Sequence, residues 1–279
     1  MQSDDYALAV LIGDMAQIVG AAPVRYAWAT CGGAVNYRRM GIAGAMLLAS
    51  GCSVPAVAHA DPGPYARIAI MRAIDGQGSE WEEGYIRHLE WHRQAKDPFG
   101  WYSYSVWAST EHQRWIIYAT FGHTGAELSN PVSPQEDERD NLLNVLPHAQ
   151  FLGNWVYEFL PALSHGNGVP TPTLRAEWTT VEVNLGADKA FEAALAAEQS
   201  KLQGETLWYR LVVGGNPPRY VRLRPRANLG VILDEHGEAA LPEKVSGMIS
   251  KVTVETLNLR PNMLVNITPV PAVPPAPAR

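Results

Sequence analysis

Apolar residues in the first half of the chain recur either at every second position or at the three-to-four residue spacing of a helix. Between residues 66 and 164 this pattern predicts the order strand, helix, strand, strand, helix, strand. The predicted strands are Ile68–Ile74, Trp101–Ser109, Arg114–Phe121 and Trp155–Leu160, and the predicted helices are Glu80–Ala95 and Ser133–Val145.

The same order of elements returns between residues 177 and 268. The predicted strands are Trp178–Leu185, Thr206–Val213, Tyr220–Arg226 and Lys251–Leu259, and the predicted helices are Asp188–Leu202 and Pro242–Met248. The pair Trp101-Tyr102 in the first aromatic hairpin aligns with Trp208-Tyr209 in the second, 107 positions later. This alignment compares the two halves residue by residue.

Each half has the βαββαβ order of a ferredoxin-like unit. In this order and in its aromatic hairpins, the chain resembles the dimeric α/β-barrel superfamily in its tandem-repeat form, with the NIPSNAP-like branch the most similar. The resemblance implies an α+β fold class, with residues 61–168 and 169–268 as two units that close sheet against sheet into a barrel. No sequence fingerprint accompanies it, so it implies a fold and assigns no site residue.

The region before the first unit has the three parts of an export signal. Arg38-Arg39 precedes the apolar run Gly41–Ala49, and an Ala-x-Ala site ends at Ala60. We expect residues 1–60 to be removed after Ala60, which gives an exported, periplasmic or extracellular protein with no membrane span in its mature chain. Residues 1–39 are either a long n-region of the signal or an extension from a misplaced start, and 269–279 is expected to be a disordered Pro/Ala-rich tail.

Two other interpretations of this region stay open. Leu48-Ala-Ser-Gly-Cys52 resembles the box of a lipoprotein anchored at Cys52, and Arg38-Arg39 resembles a twin-arginine signal. The second cysteine, Cys31, also precedes the repeated region, so that region contains no disulfide and no cysteine ligand.

Composition excludes some classes of function and favours a globular protein. The chain is 47% hydrophobic and 18% charged, and its formal net charge of −6 argues against a nucleic-acid partner. Neither a dinucleotide or phosphate loop nor a GxSxG nucleophile motif occurs. The acidic run Glu136–Asp140 is expected to be a solvated helix face.

The sharpest local feature is the pair His88 and His92. Helical spacing places both on one stripe with Trp81, Tyr85 and Ala95, aimed at the sheet. The aligned residues of the second half are Leu195 and Gln199, so only one half carries titratable groups there.

Four interpretations of the histidine pair stay open. The pair can bind a divalent metal, with His123 as the first candidate for a third ligand. One histidine can be an axial haem ligand, by analogy with haem-binding branches of the superfamily. One can be a general base in an aromatic pocket with Tyr102 or Tyr104. Alternatively, both are core histidines bonded to backbone or tyrosine partners.

Strand alternation in Tyr220–Arg226 indicates a second candidate site. If Val221 and Leu223 face the helices, then Arg222 and Arg224 look into the barrel, near Glu182 and Glu255. That arrangement is either an anion site built from arginine forks or an internal network of salt bridges.

We therefore expect an exported protein that binds a small organic ligand in one aromatic pocket per chain. The candidate binding residues are Tyr85, Trp101, Tyr104, Arg222 and Arg224. One alternative is a haem-dependent, metal-dependent or cofactor-free oxygenase-type enzyme, with His88, His92 and Tyr102 as catalytic candidates. Another is a structural or interaction protein of the cell envelope. Whether the protein is an enzyme, and its oligomeric state, are open at this level.

Overall fold

The computed structural model describes residues 62–216, 218–235 and 240–270. The predicted export segment, Cys52 and most of the Pro/Ala-rich tail lie outside these residues, so the predictions about them stay predictions. In the described part of the chain, no helix has both the length and the apolar character needed to cross a bilayer.

Eight antiparallel strands form one closed barrel. The strands are β1 (Tyr65–Ala73), β2 (Trp101–Ala108), β3 (Trp115–His123), β4 (Ala149–Phe159), β5 (Arg175–Val183), β6 (Leu207–Val213), β7 (Arg219–Arg226) and β8 (Ile249–Leu259). The helices are α1 (Gly78–Gln94), α2 (Gly125–Ser129), α3 (Pro134–Asn144), α4 (Asp188–Ala196) and α5 (Leu229–Asp234). The α+β fold class and the barrel are confirmed.

The two halves contribute equal parts of the barrel. Around it the strands follow the order β1-β3-β2-β8-β5-β7-β6-β4, so each half supplies four adjacent strands. The seams are the pairs β2–β8 and β4–β6, and closure leaves no unpaired sheet edge. The order of elements recurs in the two halves, whereas their descent from one duplicated unit stays a prediction.

Several predicted boundaries differ from the observed ones. The predicted helix Asp188–Leu202 ends at Ala196 and is followed by a separate 3-10 turn at Gln199–Lys201. The predicted helix at Pro242–Met248 is a 3-10 helix. Leu185 lies beyond the end of β5 and is 92% exposed, because Asn184 accepts a hydrogen bond from the backbone of Ala187 in a turn.

Side chains alternate between the barrel interior and an outer layer beneath the helices. Tyr102 and Tyr209 lie in the barrel core, whereas Trp101 packs in the layer beneath α1 and Trp208 in the layer beneath α4. The two aromatic hairpins therefore occupy equivalent places, as the alignment at 107 positions predicts.

The predicted side-chain directions of β7 are wrong. Val221 and Leu223 lie in the barrel core, and Tyr220 packs on the outer layer beneath α4. The pairing decides this, because Val221 lies directly opposite Tyr209 and opposed residues share a face of the sheet. Arg222 and Arg224 alternate with Val221 and Leu223, so they are on the outer face.

The ion pairs predicted for this arginine stripe are consequently wrong as well. Arg224 donates to Glu177 at 2.7 Å and to Glu235 at 3.0 Å. Glu182 instead accepts from Arg219, and Glu255 pairs with His112. Parity along one strand divides side chains into two sets but does not show which set faces inward.

Candidate functional site

Helix α1 packs its aromatic stripe against the outer face of the first four strands. Trp81, Tyr85 and Leu89 join Tyr118 and Trp101 in this layer. His88 and His92 are 2% and 3% exposed, so both lie on the buried face that their spacing predicts.

The two imidazole rings point the same nitrogen at each other. The Nε2 atoms of His88 and His92 lie 3.3 Å apart. Each Nδ1 lies 2.8 Å from a carboxylate, Asp140 for His88 and Asp97 for His92. An ionised carboxylate only accepts, so each neutral ring carries its proton on Nδ1 and keeps a lone pair on Nε2.

Helix α3 brings a third donor to this point. Asp137 Oδ1 lies 3.5 Å from His88 Nε2 and 3.7 Å from His92 Nε2. This oxygen is buried and has no hydrogen-bond partner among the described residues. The prediction that Glu136–Asp140 is only a solvated face is therefore wrong, since Asp137 and Asp140 both face the histidines.

The spacing of these three atoms suits a transition-metal ion. They form a group within 4.8 Å of one another. Tetrahedral bonds of about 2.0–2.1 Å place neighbouring donor atoms about 3.3 Å apart. The observed separations of 3.3, 3.5 and 3.7 Å are close to that value.

Further polar groups surround the three donors. The Tyr118 hydroxyl lies 3.2 Å from His92 Nε2, and the Asn141 side-chain nitrogen lies 3.2 Å from His88 Nε2. Asp97 also accepts from Trp101 Nε1 at 2.8 Å and from the Phe99 backbone at 3.0 Å. Carboxylates that hold the far nitrogen of a histidine orient metal ligands in the same way.

Burial and hydrogen bonding shift the pKa values of three groups in this cluster, and the shift at His88 keeps its Nε2 lone pair available to a metal. Burial, followed by the charge of His92, lowers the pKa of the His88 imidazole, so its neutral form persists further into acid. Burial opposes ionisation of Asp97, but its hydrogen bonds from His92 and Trp101 hold the pKa of this carboxyl below its usual value. Burial raises the pKa of the Tyr118 phenol well above its ordinary value.

The structure distributes the other predicted site residues among different layers. Tyr85 and Trp101 border the histidine pair. Tyr104 and Tyr102 lie across the sheet inside the barrel, where Tyr102 donates to the Pro170 carbonyl. The arginines Arg222 and Arg224 belong to the outer face of β7. These residues therefore do not line one pocket.

His123 is not a third ligand of the histidine pair. Its ring packs against Phe99 with ring centroids 4.0 Å apart, and its Nε2 hydrogen-bonds the Thr120 hydroxyl. The sequence signal that could have identified Asp137 is the placement of Asp137, Asp140 and Asn141 three and four residues apart, on one face of a helix.

The histidine pair does not fit haem. An axial ligand must direct its nitrogen at a flat macrocycle, whereas each Nε2 here faces the other imidazole at 3.3 Å. The barrel interior is also filled, by side chains that include Tyr104, Trp178 and Tyr209. The candidate ligand-binding residues also do not line the groove of about 390 Å³ that lies between α4 and Leu160–Leu163.

Comparison with known proteins supports the fold. No protein-family model matches the sequence, and no curated protein matches it. Among solved structures, a protein from Fusobacterium nucleatum assigned as a monooxygenase has a TM-score of 0.51 at 12% identity, with 71% of this chain and 93% of that chain covered.

Two further solved structures are similar at lower scores. A protein from Lactobacillus acidophilus, also assigned as a monooxygenase, has a TM-score of 0.46 at 18% identity, covering 71% of this chain and 95% of that chain. A haem-binding protein from Thermus thermophilus has a TM-score of 0.41 at 12% identity, covering 70% and 91%. Of the three, the Fusobacterium nucleatum structure supports the barrel fold of this chain and assigns it no activity.

Proposed function

We propose that this protein is a metal-dependent, oxygenase-type enzyme whose centre is a divalent transition-metal ion held by His88, His92 and Asp137. The observation that carries this proposal is the convergence of two Nε2 lone pairs and a buried carboxylate oxygen on one point. Each imidazole is already held by a second carboxylate, as in known metal sites.

The unpartnered oxygen of Asp137 favours a metal site over a pair of core histidines. Each Nε2 has a hydrogen-bond donor within reach, the Asn141 amide for His88 and the Tyr118 hydroxyl for His92. Within the described part of the chain, Asp137 Oδ1 has no hydrogen-bond donor, and it faces both lone pairs. Burying an anionic oxygen without a partner destabilises the folded protein. A cation bound between the three ligand atoms would neutralise that charge.

The ligand set supports the reaction class. Two histidines and one carboxylate that leave coordination positions open are the ligands of non-haem Fe(II) oxygenases. The Fusobacterium nucleatum protein of similar fold is assigned as a monooxygenase, which agrees with this class. When bound, such an ion supplies open positions at which dioxygen is activated.

The residues of this chain have distinct tasks in that centre. Asp97 and Asp140 fix the two ring orientations. Trp101 and Tyr118 stack at 4.3 Å between centroids and exclude water on the side of the sheet. Asp137 is 25% exposed, so substrate is expected to approach from the side of α3.

Metal analysis of purified variants tests the proposal. We expect one equivalent of Fe(II), Co(II) or Zn(II) in the unaltered protein, and loss of that metal in His88→Ala, His92→Ala and Asp137→Ala. His148→Ala is the matched control, because His148 bonds Gln77 outside the cluster. Stoichiometric metal in the three cluster variants would overturn the proposal. Oxygen consumption by the Fe(II)-loaded protein tests the reaction class separately.

The predictions on export and ancestry remain proposals. Removal of residues 1–60 predicts a mature chain that begins at Asp61, and N-terminal sequencing of protein from its native host tests this. A lipid on Cys52 would support the lipoprotein alternative. The similarity to the NIPSNAP-like branch and the origin of the two halves by duplication are likewise proposals.

A further inference from the structure

The hydroxyl of Tyr118 lies beside His92, one of the three proposed metal ligands. Its oxygen is 3.2 Å from His92 Nε2, which nearly equals the 3.3 Å between the two histidine nitrogens. Both values are close to the roughly 3.0–3.3 Å between neighbouring ligand atoms of one transition-metal ion, including an iron ion that keeps open positions beside four protein ligands. Strand β3 thus presents a fourth candidate ligand atom, an oxygen, beside the lone pair that a metal would occupy.

The aromatic ring of Tyr118 is held in place by its neighbours. It stacks on Trp101 with centroids 4.3 Å apart, and it contacts Tyr85 edge-on at 5.6 Å. The ring therefore has little freedom to withdraw its hydroxyl. In the metal-free arrangement this hydroxyl donates to His92 Nε2, and a metal on that nitrogen removes its acceptor.

We propose that Tyr118 is a fourth protein ligand, which binds the metal as a phenolate and makes the centre a two-histidine, aspartate and tyrosine site. This inference rests on the proposed function. When the oxygen–metal bond forms, the O–H bond breaks and its proton leaves to solvent, with no change in the number of electrons. The positive charge of the ion outweighs the burial that keeps this phenol protonated in the metal-free protein. Two anionic oxygen ligands bind a trivalent ion more tightly than Asp137 alone, so Fe(III) loaded in place of the divalent ion serves as the probe of Tyr118.

The second half of the chain supplies a matched control. Trp101 pairs with Thr120 and Trp208 pairs with Arg222, so Tyr118 and Tyr220 occupy equivalent places two residues earlier. The hydroxyl of Tyr220 donates to Glu192 at 2.8 Å and has no histidine neighbour among its described contacts. Tyr220→Phe therefore removes an equivalent buried hydroxyl without altering the metal centre.

Visible absorption of the iron-loaded protein tests the inference. A phenolate bound to Fe(III) gives an intense charge-transfer band in the visible region, which histidine and carboxylate ligands do not give. We expect this band in the unaltered protein and in Tyr220→Phe. In Tyr118→Phe we expect its complete loss, with the iron content at or near the level of the unaltered protein.

The outcomes separate the two proposals. Stoichiometric iron without the band in the unaltered protein would overturn the role of Tyr118 and leave the three-ligand site standing. A band that persists in Tyr118→Phe would also overturn it. If the unaltered protein binds neither iron nor Co(II) nor Zn(II), the proposed function itself is refuted. If Tyr118→Phe fails to fold, ring-fluorinated tyrosine in the unaltered protein provides the second measurement, since only a coordinated phenolate shifts the band.

Discussion

Replacing Asp137 with asparagine should separate the stability of the metal-free protein from its response to metal. The substitution keeps the shape of the side chain and removes a buried anionic oxygen for which the described residues supply no hydrogen bond. The new amide can donate to the Nε2 lone pair of His88 or His92. The free energy of unfolding of the metal-free protein should therefore stay the same or rise by about 1 kcal/mol, the contribution of one hydrogen bond.

The response to metal should change far more. A metal at about 100 times its Kd stabilises the unaltered protein by about 2.7 kcal/mol. At about 2–4 °C per kcal/mol for a domain of this size, that is a rise in Tm of about 5–11 °C. Loss of a residue that only hydrogen-bonds a ligand lowers metal affinity by up to ~100-fold, so loss of a ligand itself should lower that affinity by at least ~100-fold. The same metal concentration then stabilises Asp137→Asn by only about 0.4 kcal/mol, or about 1–2 °C.

Differential scanning calorimetry with and without Co(II) or Zn(II) measures both effects. Asp234→Asn is the control, because this aspartate is exposed at the end of α5 and should retain the full metal-induced rise in Tm. A full rise in Asp137→Asn would refute the assignment of Asp137 as a ligand. A large fall in the free energy of unfolding of metal-free Asp137→Asn would refute the claim that the buried Asp137 oxygen is unpaired in the unaltered protein.

Three further predictions concern the support of the centre and the pH response of the fold. In Gly84→Ala the new Cβ would lie 1.8 Å from the Asn144 carbonyl oxygen, so α3 must move from α1 and metal affinity should fall without loss of a ligand. Gly78→Ala, which meets nothing within 4 Å, should leave the affinity in a calorimetric titration unchanged. Asp97→Asn should weaken metal binding by about 10–100-fold in the same titration, because it removes the carboxylate that orients His92; an unchanged Kd would contradict that role. Burial lowers the folded-state pKa of His123. The contribution of neutral His123 to the free energy of unfolding is therefore fully present above the ordinary histidine pKa of about 6.5. It is lost as the pH falls from that value towards the lowered folded-state pKa. His123→Gln should flatten this part of the curve of Tm against pH, and an unchanged slope would show that His123 does not titrate as its burial requires.

The sequence predicts the fold well where periodicity and burial agree. The aromatic hairpins alternate so regularly that both the strands and the equivalence of Trp101 with Trp208 follow from them. The face of β7 does not follow. Its arginines and its aliphatic residues alternate equally well, and the choice between them depends on which strand lies opposite.

Half of the candidate site is predictable for the same reason. The spacing of His88 and His92 places both on the buried face of a helix, a local property of about one helical turn. Asp137 lies 49 positions beyond His88 in a run of charges that resembles a solvated helix face. Its role depends on the packing of α3 against α1, which the close approach of the Asn144 carbonyl to Gly84 makes possible.

The sequence by itself determined the α+β class, the recurring order of strands and helices, and the pair of histidines on one helix face, because these depend on periodicity within single elements. The tertiary structure alone decided that the barrel interior is filled, that the arginines of β7 lie outside it, and that Asp137, Asp140, Asp97 and Tyr118 surround the histidines. Those contacts join α1 with α3, with β3 and with the segment after α1. They follow from the packing of these elements on one face of the sheet, which no local pattern specifies.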